Sequence, residues 1–281
     1  MSGTVLAIDL GGTKTLAALV RDGRTLEVRR IATPHAMPPE RLLDAAADLA
    51  DGWNARFERV AVAVSGCVAG GCWSAVNPAV LAIPEPVPIV AVLRARWGVP
   101  VTAMNDAQAA AWGEYRFGAG QGADIAFVTV STGIGGGFVV AGRLLVGGRG
   151  LAGHVGRLRC GIGPDAPALE DVASGGALGR AAAVHGAASA EEVFAAGTAW
   201  AAALLDRAAD ALAGACASLQ ALVDPDMIVL GGGVGLAPGF ADRVRRRLEG
   251  LPDVLRPVVV VAALGVEAGL IGVADYALPG G

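Results

Sequence analysis

The chain has 281 residues, of which 54% are hydrophobic and 17% charged, and its formal net charge is −4. This composition excludes a disordered chain, and the acidic balance argues against a nucleic-acid surface. The length predicts one large domain or two lobes. No CxxC pair occurs and no basic, apolar leader opens the sequence, so we expect a reduced, cytoplasmic protein. We expect no membrane span, because glycines and polar residues interrupt both long uncharged stretches.

Apolar periodicity predicts alternating strands and helices along the chain. The predicted strands cover 4–8, 16–20, 60–64, 99–104, 125–130, 138–141, 227–230 and 257–263, and the predicted helices cover 40–57, 87–97, 107–117, 199–223, 241–248 and 266–277. A polar, glycine-rich bend joins the first two strands, and a similar bend recurs near residue 132. This pseudo-repeat, together with the alternation, indicates an α/β fold of two similar lobes.

Three glycine-rich bends follow predicted buried strands, at residues 11–13, 133–137 and 231–235. Glycine after a strand often marks an ordinary turn. Successive N–H groups in such bends also bind anions, and glycine lets the backbone approach a phosphate closely. Three bends together therefore favour a polyphosphate ligand. None is a Walker loop, and the GxGxxA pattern at 118–123 follows a helix, which argues against a dinucleotide site.

Asn105 and Asp106 lie between a predicted strand and a predicted helix. Both residue types are favoured helix N-caps, which is a purely structural interpretation. The same position suits catalysis, because the helix dipole favours an ionised carboxylate there. Such a carboxylate can accept a proton from a hydroxyl during phosphoryl transfer, and the neighbouring amide can bind a sugar hydroxyl. The local sequence leaves both interpretations open.

Taken together, these motifs resemble the ROK family of sugar kinases, within the actin–hexokinase superfamily. The resemblance is carried, in order over nearly the whole chain, by residues 9–14, 105–112, 128–137, 150–154 and 231–237. It implies an actin/hexokinase-like two-lobed fold of duplicated ribonuclease H-like domains, with the active-site cleft between the lobes. The implied lobes are 1–117, completed by the terminal helix 266–281, and 118–265. Family habit also implies a homodimer.

The likeness is greatest to the family's kinases of N-acetylmannosamine, so the resemblance implies ATP-dependent phosphorylation of that amino sugar at its 6-hydroxyl. It makes Asp106 the catalytic base, and Asp9 the residue that orients Mg²⁺ through water. The implied sugar-binding residues are Gly66, Asn77, Asn105, Asp106, His154 and Glu170. The implied ATP-binding residues are Asp9, Gly11, Gly12, Thr13, Lys14, Thr132, Gly133, Gly135, Gly232 and Gly233.

One segment departs from the family pattern. Arg157 stands where many members carry a zinc-binding histidine, and Cys160 is the only thiol of a shortened segment. Four-coordinate zinc needs nitrogen or sulfur ligands that this segment lacks, so we predict that no zinc is bound.

Three alternatives remain beside the amino-sugar kinase. Another ROK hexokinase would act on glucose, fructose or N-acetylglucosamine, and residue 154 distinguishes these activities, since most other members carry Glu where His154 stands. A sugar-responsive repressor would carry a helix-turn-helix module, for which the early start of the first hairpin leaves no room. A catalytically silent sugar-binding protein would fit the altered zinc segment, although the retained Asp9, Lys14, Asn105 and Asp106 argue against it.

Overall fold

The computed structural model describes residues 3–12, 14–33, 38–53, 56–76 and 83–279. The strands in these ranges are β1 (Val5–Leu10), β2 (Lys14–Arg21), β3 (Arg24–Ala32), β4 (Arg59–Val64), β5 (Cys67–Ala69), β6 (Cys72–Ser74), β7 (Val101–Asn105), β8 (Ile125–Val130), β9 (Ile134–Val140), β10 (Arg143–Leu144), β11 (Met227–Gly231) and β12 (Val259–Val261). The α-helices are α1 (Pro39–Leu49), α2 (Ile89–Trp97), α3 (Asp106–Phe117), α4 (Leu169–Ala173), α5 (Gly175–Ala182), α6 (Ala190–Ala195), α7 (Ala199–Val223), α8 (Gly232–Gly235), α9 (Phe240–Leu248) and α10 (Ala268–Tyr276). None of these helices has the length and apolar character that crossing a bilayer requires.

Within the described ranges, the strands form two five-stranded sheets with the same topology, and β5 and β6 form a small hairpin. The first sheet has the order β3-β2-β1-β4-β7, and the second has the order β10-β9-β8-β11-β12. In each sheet an antiparallel three-stranded meander continues into two parallel strands. The duplication confirms the two-lobed α/β fold. The lobe boundaries at 117 and 265 stay a prediction.

Two helices lie between the sheets and join the lobes. Helix α10 packs on β1 and β4, helix α3 packs on β8 and β9, and the two helices pack on each other. Their contact is close, because a Cβ on Gly272 would overlap the backbone oxygen of Ala109, and a Cβ on Gly113 would overlap that of Ala268. Glycine therefore permits backbone contact at the centre of the molecule.

The chain passes between the lobes twice, through 118–124 and through 262–267, and Glu114 binds both passages. Its side chain is fully buried. One carboxylate oxygen accepts the N–H groups of Ala119 (2.8 Å) and Ala263 (3.0 Å), and the other accepts that of Leu264 (2.8 Å). A buried carboxylate is tolerated where backbone donors satisfy it. Glu114 thus fixes the end of α3 to the segment that leads into α10.

Some predicted elements differ from those in the structure. The helix expected over 40–57 ends at Leu49, because the chain turns at 50–53 to bury Trp53. Strand β3, hairpin β5–β6 and helices α4 to α6 carried no prediction. Strand β3 alternates exposed and half-buried residues along its whole length, so it lacks the apolar run of a buried strand. Residues 34–37 lie outside the described ranges, and Pro39 begins α1.

The parallel strands of the first sheet end at the same level. Leu10 at the end of β1 pairs with Val64 at the end of β4, and Val64 pairs with Asn105 at the end of β7. In open α/β sheets ligands bind beyond the carboxyl ends of the strands. The residues that follow these strands are therefore brought to one edge.

Candidate active site

Asn105 caps helix α3 and also connects it to the neighbouring strand end. Its Oδ1 accepts the N–H groups of Ala107 (2.9 Å) and Gln108 (3.0 Å). Its Nδ2 donates to the backbone oxygen of Gly66 (2.8 Å). The capping interpretation is therefore correct, and it does not compete with a functional one, because the cap is what holds Asp106 in place.

The carboxylate of Asp106 is held by three donors. Oδ1 accepts the Asn105 side-chain amide (2.9 Å) and the Ala107 N–H (2.8 Å), whereas Oδ2 accepts the Ser65 hydroxyl (3.1 Å). The indole N–H of Trp73 donates to the Ser65 backbone oxygen (2.7 Å) and fixes that residue in turn. Within the described part of the chain Oδ2 has this one donor, so a lone pair of Oδ2 stays available for a substrate hydroxyl.

Burial raises the pKa of Asp106, and the hydrogen bonds from Ala107 and Ser65 partly oppose that rise. The helix start alone would stabilise the charge of Asp106, and burial outweighs that effect. A carboxylate with a raised pKa is the stronger base, which suits proton abstraction near neutral pH.

Asp9, near the end of β1, faces Asp106, which follows β7 two strands away in the same sheet. A Cβ on Gly269 would lie 3.8 Å from both Oδ2 of Asp9 and the backbone oxygen of Asp106. Burial and the charge of Asp106 raise the pKa of Asp9 to about 7. Two facing carboxylates are the hard oxygen donors that Mg²⁺ prefers, so the residues present fit this cation.

We expect Asp9→Asn to make the stability of the metal-free protein less dependent on pH. The folded pKa of about 7 lies above the ordinary value of 3.8. Folding therefore takes up a proton between these values, and stability falls as the pH rises through that window. The whole shift corresponds to about 4 kcal/mol at most.

Denaturant unfolding in EDTA, at about pH 5 and about pH 8, measures this effect. Asp44→Asn is the control, because its side chain is 60% exposed. The same pH dependence in wild type and Asp9→Asn would contradict the expectation.

His154 approaches Asp106 from the other lobe. Its Nδ1 lies 3.1 Å from the backbone oxygen of Leu151. Since a carbonyl only accepts, Nδ1 carries a proton in this hydrogen bond. The charge of His154 lowers the pKa of Asp106, which places the imidazole on the side of that carboxylate. The sugar-binding role expected of His154 stays a prediction.

Glu170 lies against the second glycine-rich bend. One carboxylate oxygen accepts the N–H of Ile134 (2.9 Å) and would lie 2.7 Å from a Cβ on Gly133. The other oxygen is 4.0 Å from the guanidinium of Arg157. Glu170 therefore holds the backbone of the bend through the Ile134 N–H. Its expected contact with the sugar stays a prediction.

Apart from Asp9, the expected ATP-binding residues lie in or directly beside the three bends. The Gly11 N–H donates to the Lys14 backbone oxygen (3.1 Å), and the Lys14 side chain is exposed. Half-exposed Gly12 stands beside them. Thr13 and Asn77 lie outside the described residues, so their expected contacts stay predictions.

In the second bend the Thr132 backbone oxygen accepts the Gly176 N–H (3.0 Å). A Cβ on Gly135 would lie 3.0 Å from the Cβ of Ala107, so this glycine lets the bend approach the start of α3. In the third bend a Cβ on Gly232 would lie 2.7 Å from the Thr129 hydroxyl, whereas Gly233 is exposed and faces open space.

Sequence reasoning missed Ser65 and Gln108. Ser65 follows β4, so the common level of the strand ends could have indicated it. Gln108 is polar and almost wholly buried, and nothing in its local sequence distinguishes it from an ordinary helical glutamine.

No group of three or more His, Cys, Asp or Glu side chains is arranged for metal binding in the described ranges. Cys160 is half-buried, and burial raises its pKa above the ordinary value, which disfavours the thiolate that zinc requires. The expectation that no zinc is bound stays a prediction.

The duplicated sheets and the central pair of helices form the actin-like two-lobed fold of sugar kinases. A family model described as "ROK family" matches residues 5–279. The chain belongs to the ROK family.

Individual relatives cover nearly the whole chain. The bifunctional enzyme NanE/NanK of Brucella melitensis is 50% identical over 98% of this chain and 54% of its own length, so the chain spans about half of that relative. An N-acetylmannosamine kinase of Shigella flexneri is 40% identical over 96% of this chain and 97% of its own. The crystal structure of a ROK family glucokinase from Streptomyces griseus, in complex with glucose and AMPPNP, aligns with a TM-score of 0.83 and 32% identity, covering 98% of this chain and 99% of that one.

Proposed function

We propose that the protein transfers a phosphoryl group from ATP to the 6-hydroxyl of N-acetyl-D-mannosamine, giving N-acetylmannosamine 6-phosphate. The observation that carries this proposal is the Asp106 carboxylate, fixed through Oδ1 and Ser65 with a lone pair of Oδ2 available, and faced by Asp9. A positioned base beside a site for Mg²⁺ is what phosphoryl transfer to a hydroxyl requires.

In this proposal Oδ2 of Asp106 accepts the proton of the 6-hydroxyl as the oxygen attacks. Asn105 and His154 orient the sugar from opposite sides, and the bends at 11–14, 132–135 and 232–233 hold the nucleotide. Mg²⁺–ATP supplies the transferable phosphoryl group and the charge that neutralises it. Asp9 orients the cation, and Lys14 reaches the phosphates from an exposed position.

The choice of N-acetylmannosamine rests on His154 and on the relatives. The kinase of Shigella flexneri carries that sugar in its name, at 40% identity over nearly full length. The alternative is a hexose, because the glucokinase of Streptomyces griseus is 32% identical and binds glucose. A cytoplasmic location, a homodimer and a role in sialic acid catabolism stay predictions.

A coupled assay of ADP release tests the proposal, with Mg²⁺–ATP and a panel of N-acetylmannosamine, N-acetylglucosamine, glucose, mannose and fructose. We expect the highest kcat/KM for N-acetylmannosamine. A preference for another sugar would keep the kinase and overturn the substrate. Sugar binding without turnover of any sugar, in folded protein, would overturn the kinase and favour a silent binding protein.

A further inference from the structure

Two buried side-chain amides stand at the start of α3, one on its N-cap and one in its first turn, and they reach in different directions. Asn105 is 6% exposed and donates to Gly66, which follows β4 of the first sheet. Gln108 is 1% exposed, and its Nε2 donates to the backbone oxygen of Ala152 (2.8 Å), which follows β10 of the second sheet. The start of α3, which bears Asp106, is therefore hydrogen-bonded both to the segment after β4 of the first sheet and to the segment after β10 of the second.

The segment that Gln108 reaches is the loop 150–154, which ends in His154. Ala152 is two residues before His154 and follows Leu151, whose backbone oxygen accepts the His154 ring proton. The Ala152 N–H donates to the Val146 backbone oxygen (3.2 Å). Gly150 at the start of the loop also packs on the Val68 backbone, whereas the bond from Gln108 comes from the helix that bears Asp106.

Close backbone packing keeps the two elements at a fixed distance. A Cβ on Gly137 of β9 would lie 2.9 Å from the Cα of Gln108. A Cβ on Gly153 would overlap the backbone oxygen of Gly136. The loop and the start of α3 thus contact adjacent glycines of the same strand, and a side chain as long as glutamine spans the gap between them.

We propose that Gln108 is a positioning residue that holds the loop 150–154, and with it His154, opposite Asp106, and that it thereby sets the affinity of the site for the sugar. The inference rests on the proposed function. In the described part of the chain, the Gln108 side chain bonds to Ala152 and to none of the three nucleotide-binding bends, so we expect its effect to fall on the sugar and to spare ATP.

Two substitutions remove the bond without changing the length of the side chain much. Gln108→Met lacks a donor, and the ionised carboxylate of Gln108→Glu repels the Ala152 carbonyl. For each we expect the KM for the sugar to rise about tenfold or more, while the KM for ATP changes less than about threefold. Gln220→Met is the matched control, since Gln220 lies on α7 and bonds only locally to Asp224 and Pro225.

A double-mutant cycle separates positioning of His154 from a general loss of structure. In a His154→Ala background we expect Gln108→Met to change the sugar KM by less than about twofold, because the residue acts through His154. Multiplicative effects of the two substitutions, or equal rises in the sugar and ATP KM values, would overturn the inference. Should Gln108→Met fail to fold, Gln108→Glu carries the same comparison.

Hydrogen–deuterium exchange provides a readout that does not depend on turnover. We expect the amides of 150–154 to exchange at least about tenfold faster in Gln108→Met than in wild type or Gln220→Met. Unchanged exchange would overturn the anchoring even if the protein proved inactive on every sugar. Absence of turnover in wild type, with exchange accelerated as expected, would instead overturn the proposed function.

Discussion

Asp106→Asn is expected to lower kcat by about 10²- to 10⁴-fold, the usual contribution of a general base, while sugar affinity changes little. The substitution removes the group that accepts the hydroxyl proton and leaves the shape of the site intact. Oδ1 of the new amide still accepts from Asn105 and Ala107, and the new Nδ2 can donate to the Ser65 hydroxyl. Loss of rate without loss of binding identifies an interaction made in the transition state.

Steady-state assays give kcat, and isothermal titration of the sugar gives the affinity. Ser65→Ala is the comparison variant, because it removes one hydrogen bond to Oδ2 and keeps the carboxylate. We expect that variant to lose at most about tenfold in kcat. An Asp106→Asn enzyme with near-normal turnover would show that another group accepts the proton.

Much of the candidate site follows from where strands end. Asp9, Asn105 and Asp106 each stand at or just after an apolar run, and the common level of β1, β4 and β7 brings them to one edge. The repeated bend near residue 132 likewise predicted the second sheet with its antiparallel β8–β9 pair. Each of these features is visible in a short stretch of sequence. The parallel strands end at the same level, and this brings residues that are distant in sequence close together.

The contacts that sequence reasoning missed are long-range. Gln108 bonds to a residue 44 positions away, and Glu114 bonds to residues 149 and 150 positions away. In the sequence each is a polar residue of an amphipathic helix, a pattern that usually indicates a solvent-facing side chain. Only the packing of α3 between two sheets buries them, and that arrangement cannot be read from the helix alone.

The pKa of the base also depends on packing. The helix-start rule predicts a stabilised charge at Asp106, whereas burial acts in the opposite direction and prevails. Burial at this position comes from α10 and from the other lobe, so the direction of the shift could not be obtained from residues 105–108. Sequence predicted Asp106 as the base, and the fold determines the direction in which its pKa shifts.

Glu114→Ala is expected to cost about 3–6 kcal/mol of unfolding free energy, a large part of the stability of an ordinary domain. The substitution leaves the N–H groups of Ala119, Ala263 and Leu264 without their acceptor. These three hydrogen bonds are part-buried, so each lost acceptor costs about 1–2 kcal/mol, and the truncated side chain adds a cavity. Because these donors belong to both passages between the lobes, the loss should destabilise the junction of the lobes first.

Two further variants make the comparison specific. Glu114→Gln keeps one acceptor oxygen but places an NH₂ group against a backbone donor, so we expect an intermediate loss. Glu192→Ala also removes an acceptor from a backbone N–H, that of Ala188, but at an exposed position where water replaces it. For that control we expect a loss below about 1 kcal/mol. Denaturation midpoints rank the three variants, and a Glu114→Ala midpoint no lower than that of Glu192→Ala would show that the buried carboxylate does not hold the junction.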